Sequence, residues 1–127
     1  MMEDYVSFEV AKLLKEKGFD EYCGYYSSDG EYWGYCVYNH KGKDYISAPT
    51  LQMAVKWIRK KGFHIFVPLE IDYDEDERGT KWYHDAAYYP EIRRVSDGKI
   101  MYDDGSLYAE PEQAYEVAIK YCLENLI

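Results

Sequence analysis

Apolar residues recur along this chain with two periods, and the switches between them mark out the expected elements. Val6, Val10, Leu13 and Leu14 fall on one helical stripe, Ser7 stands where a cap belongs, and Gly18 follows, so a helix is predicted over 7–17. The tyrosine-rich stretch Glu21–Tyr26, the turn signal Ser27-Ser28-Asp29-Gly30, and Glu31–Tyr38 read as strands. Asn39-His40-Lys41-Gly42 reads as a reversal and Lys43–Ser47 as the returning strand. A second helix is expected over 50–61, stopped by Gly62, with Leu51, Ala54, Val55 and Ile58 buried. Met53 and Trp57, four apart, form a further apolar stripe beside it, which suggests contact on more than one side.

Strict alternation then takes over. Phe63, Ile65, Val67, Leu69 and Ile71 share one parity, with Pro68 marking an edge or a bulge in that strand. The acids at 70–77 are expected to form its exit loop. Trp82–Tyr89 reads as a strand ended by Pro90, and Glu91–Val95 with Lys99–Tyr102 as a hairpin across Ser96-Asp97-Gly98. The last helix is expected over 111–126, with proline in its first turn and Ala114, Val117, Ala118, Tyr121 and Cys122 inward. Helix, strands (21–47), helix, strands (63–102), helix predicts a single α+β domain over 1–127. Its expected form is an antiparallel, aromatic-rich sheet with three helices packed against it.

Composition narrows the function classes. Acids outnumber bases by nine, which repels nucleic acid and anionic membranes over most of the surface. Aromatics supply 18% of the residues, and 16 of them are tyrosine; an acidic chain with that many apolar plates is expected to pack. Cys23, Cys36 and Cys122 are an odd count without a C-x-x-C pair, which fits a reducing cytoplasm better than a disulfide framework. No apolar run approaches the roughly 20 residues that span a bilayer, and the acidic start is unlike a secretory signal.

Three segments carry a resemblance: Val6–Phe19, Ser47–Arg59 with its Ala48-Pro49-Thr50 helix start followed by Lys56-Trp57, and Gln113–Leu126. They resemble small uncharacterised proteins of gut Bacteroides and of their phages and prophages. The resemblance implies a mobile-element origin and an accessory role in a bacterial cytoplasm, and it assigns no catalytic residue.

Candidate chemistry is sparse. The run Glu70 to Glu77 puts six carboxylates into eight residues, but counted as a calcium loop from Asp74 it sets the cation of Arg78 at loop position 5, where a ligand belongs. A solvated loop is the expectation for 70–79. The cysteines and histidines lack paired zinc spacing, and no phosphate or dinucleotide loop is present, so neither metal nor cofactor is expected. Lys56, Arg59, Lys60 and Lys61 complement a helix C-terminus and, with Arg93 and Arg94, make at most a small basic patch. The sequence therefore leads to a non-enzymatic protein-binding or self-associating module. Its candidate contacts are Met53, Trp57, Tyr35, Tyr38 and Tyr88, with the aromatics divided between two sheet faces. The alternatives are an acidic DNA mimic that occupies a DNA-binding protein, and a small enzyme or ligand-binding protein using His84, Asp85 and His64, with Asp72.

Overall fold

The computed structural model describes residues 4–127, with the side chains of residues 72, 73 and 83–85 left aside. The architecture is α+β. Among the described residues three helices, α1 (Phe8–Glu16), α2 (Leu51–Lys60) and α3 (Pro111–Tyr121), accompany eight strands in three antiparallel sheets. One buried cluster joins residues of all the helices to the strands, from Val10 and Leu14 of α1 through Ala54 and Ile58 of α2 to Ala118 and Ile119 of α3.

Local signals explain the helices. Ser7 Oγ accepts from Val10 N at 3.3 Å and Thr50 Oγ1 from Met53 N at 3.2 Å, which satisfies an orphan donor at each start. Gly18 and Gly62 stop α1 and α2 at φ +95° and +106°, a region that costs a side chain strain. The last helix departs from expectation. After Tyr121 it widens into a π-helical turn over Cys122–Leu126, closed by Ile127 N donating to the Cys122 carbonyl at 3.0 Å.

The first sheet has the order β2-β1-β3, with β1 Cys23–Tyr26, β2 Tyr32–Val37 and β3 Ile46–Ser47. The returning strand was expected beside β2 over Lys43–Ser47; it is only two residues long and lies on the far side of β1. A buried amide explains the detour. Asn39 begins a 3₁₀ turn, donates through Nδ2 to the Phe19 carbonyl at 2.6 Å and accepts from Ser47 N at 2.7 Å. Lys15 Nζ then donates to the carbonyls of Gly42 and Tyr45, both at 2.6 Å, so the loop is held against α1 and delivered past β1. Opposite, β2 bulges: Gly34, Tyr35 and Cys36 face the single Gly24 between the pairs Trp33–Tyr25 and Val37–Cys23. A Cβ at Gly24 would stand 2.7 Å from Tyr32 Oη, so glycine makes room for that ring.

The second half departs from a single sheet as well. Pro68 divides the expected strand Phe63–Ile71 into β4 (Phe63–Phe66) and β5 (Leu69–Glu75), because proline has no N–H for a ladder. Strand β4 joins β7 (Glu91–Arg94) and β8 (Ile100–Tyr102) in the order β4-β7-β8, while β5 pairs with β6 (Lys81–Tyr88) as a separate two-stranded hairpin. The first acids of the 70–77 stretch are thus strand, a correction to the expected loop. The turn proper is short, with Asp76 Oδ1 accepting from Arg78 N and Thr80 N, both at 2.9 Å, and Gly79 at φ +84°.

Candidate functional site

Strand β2 is an edge of the first sheet, and its sequence carries none of the usual edge guards. From Tyr32 to Tyr38 it carries no charge, whereas sheet edges are ordinarily blunted by lysine, proline or inward charge. Both of its faces reach solvent: Tyr35 is 71% and Trp33 41% exposed, and Tyr32, Cys36 and Tyr38 are exposed too. Ser27 N donates to the Glu31 carbonyl at 2.8 Å, so by alternation Trp33 turns its backbone groups toward β1. Those of Tyr32 and Gly34 then point away from the sheet.

The rings on this edge are organised in two groups. Tyr32 leans on Tyr5 with centroids 4.9 Å apart and on Tyr26 at 5.8 Å, while Tyr26 Oη donates to the Val6 carbonyl at 2.6 Å. Burial pushes both hydroxyls, of Tyr26 and Tyr32, above the usual tyrosine range. At the other end Tyr38 lies 5.2 Å from Tyr22 and stacks on His40 at 5.3 Å, and His40 Nδ1 meets Asp20 Oδ2 at 2.8 Å. The His40 hydrogen bond holds the Asp20 carboxyl below its ordinary value. Contacts of this kind restrict ring orientation.

Of the expected contact residues, Tyr35 falls on this strand and Tyr38 directly after it, before the 3₁₀ turn. Trp57 does not belong to a surface. It is only 9% exposed and packs edge-on against Phe19 at 5.6 Å, with Lys61 Nζ 5.0 Å from its ring, so it replaces Val55 on the buried stripe of α2. Met53 is half-buried beside the groove between α2 and β4. Tyr88 is half-buried on β6, where its backbone exchanges bonds of 2.8 and 2.7 Å with Tyr108. Trp33 and Tyr22 are exposed too and were not among the expected residues; for Trp33 the uncharged run 32–38 was the available signal.

The other chemistry is dispersed. His64 lies on β4 with its ring 4.4 Å from Phe66 and Nδ1 buried without a hydrogen-bond partner. The side chains of Asp72, His84 and Asp85 lie outside the described residues. Cys23 and Cys122 are buried free thiols and Cys36 an exposed one; burial pushes the Cys122 thiol up to about 12. Arg94 is tied to Asp97 and Arg93 to Glu91, so neither is a free cation for a basic patch. Among the described residues no group of three His, Cys, Asp or Glu side chains is placed to hold a metal ion, and no helix is long and apolar enough to cross a membrane. Comparison with family models, curated proteins and solved structures finds no match to this chain.

Proposed function

We propose that this chain is a non-enzymatic, self-associating module in which strand β2 pairs with β2 of a second copy. The observation that carries the reading is the uncharged, doubly exposed aromatic edge from Tyr32 to Tyr38. Charge chooses the occupant. Antiparallel pairing about the middle of β2 brings Asp29 and Glu31 of one copy to the end where the other carries His40, Lys41 and Lys43. Main-chain bonds from the outward groups of Tyr32 and Gly34 supply the ladder, and the rings on both faces supply burial.

The test places a gatekeeper charge on the edge. Light scattering of the eluted protein should give twice the chain mass, and Tyr35→Lys should return it to one chain mass with an unchanged circular-dichroism spectrum, since Tyr35 is mostly solvated. A wild type that stays monomeric at its solubility limit, or a Tyr35→Lys protein that still pairs, overturns the proposal.

A further inference from the structure

We propose that the groove between α2 and β4 binds an extended acidic peptide, an activity separate from pairing through β2. The groove encloses about 820 Å³, with Met53, Lys56 and Arg59 of α2 on one wall, His64 to Val67 along the other, and Tyr115 of α3 beside them. That volume lies within the range of ligand-binding clefts. Its charge is opposite to that of the chain. The protein carries −9 overall, yet the titratable lining consists of Lys56, Arg59, His64 and Tyr115, with no carboxylate. Lys56 and Arg59 are exposed and, among the described residues, without an ion-pair partner.

The backbone selects a peptide over a small anion. Strand β4 is the edge of its sheet, and Val95 N donates to the Gly62 carbonyl at 2.8 Å. With His64 opposite Arg93 and Phe66 opposite Glu91, the alternation turns the backbone groups of His64 and Phe66 toward β7. Those of Phe63 and Ile65 therefore point away from β7, and Ile65 also lines the groove. A chain laid along β4 completes this ladder, which a lone carboxylate cannot do. Alternate side chains of that segment then separate, apolar ones toward Met53 and Phe66, acidic ones toward Lys56 and Arg59. The unpartnered, buried Nδ1 of His64 adds a polar group at the same place.

The experiment titrates the full-length protein into a fluorescein-labelled peptide of alternating glutamate and valine, about eight residues long to match a strand, with a lysine–valine peptide as control. The glutamate peptide should bind, weaken with added salt, and lose about tenfold or more in affinity with Lys56→Glu combined with Arg59→Glu. Amide exchange should show new protection at Ile65 when that peptide is present, and Tyr35→Lys should leave the affinity unchanged. Equal binding of the lysine peptide overturns the proposal, and so does binding without protection of Ile65, which is adsorption to two surface cations. Loss of self-association in the Lys56→Glu, Arg59→Glu protein assigns the groove to a second copy and overturns it too.

Discussion

Replacing Asn39 with alanine takes away two hydrogen bonds at the point where α1, the 3₁₀ turn and β3 meet. Asn39 is 5% exposed, and its amide reaches the Phe19 carbonyl at 2.6 Å and the Ser47 amide at 2.7 Å. Both partners belong to buried residues, so each is left without a bond when the amide is gone. An orphaned buried polar group costs about 1–3 kcal/mol, which gives a loss of about 2–6 kcal/mol for the pair. Asn39→Asp separates the two bonds. The carboxylate still accepts from Ser47 N but sets negative charge against the Phe19 carbonyl, whereas the protonated acid donates there as the amide did. Its folded pKa is therefore raised above the unfolded value, and the stability this variant retains in acid is lost as pH rises through the folded pKa. Urea unfolding is the assay: with a slope of about 1–3 kcal/mol per molar, the alanine variant's midpoint falls by roughly 0.7 M or more. A loss below about 0.5 kcal/mol, or an aspartate variant whose stability is flat from acid to neutral pH, refutes the clamp.

Two other groups give independent outcomes. Brief iodoacetamide treatment of the folded protein should add one adduct, at exposed Cys36, and three after unfolding, because burial raises the Cys23 and Cys122 thiols and shields them; rapid native labelling at Cys122 contradicts the core described above. The Glu116 carboxyl is raised above its ordinary value of 4.5, by burial first, against the lowering effect of its bonds from Ser7 N and Oγ at 2.7 and 3.0 Å. The folded state then holds that proton more tightly than the unfolded one, so wild type should lose stability relative to Glu116→Gln as pH rises from the ordinary carboxylate value through the raised one; the opposite slope means that the Ser7 bonds outweigh burial.

The helices were legible because their causes are local: Ser7 and Thr50 as caps, Gly18 and Gly62 as stops, and stripes that a few turns of chain determine. Strand partnership was not, since it turns on Asn39 and Lys15, whose contacts lie 8 to 30 residues away. At Glu70–Glu75 the acids suggested a loop, while the alternation of Leu69 and Ile71 with acids was itself a strand signal; cross-strand pairing with β6 decided the matter. Trp57 illustrates the limit for surfaces. Its place on a second stripe suggested contact with another protein, and the neighbour on that side is Phe19 of the same chain, which follows α1. The β2 edge was readable as an uncharged aromatic run, although its position at the rim of a sheet was not.

The way the ladders are nested has a kinetic consequence. β1–β2, β5–β6 and β7–β8 join successive strands, while β1–β3 encloses β2 and β4–β7 encloses the β5–β6 hairpin, so the sheets close shorter loops than the terminal helices do. The long closure falls to α1 and α3, joined by Ser7 to Glu116, 109 residues apart, and by Glu9 to Lys120 at 2.8 Å. Until those helices meet, Ala118, Ile119 and Cys122 lack the α1 side of their shared core. The topology thus separates a fast, local stage of sheet formation from a slower docking of the last helix, and the contacts between α1 and α3 act on that second stage.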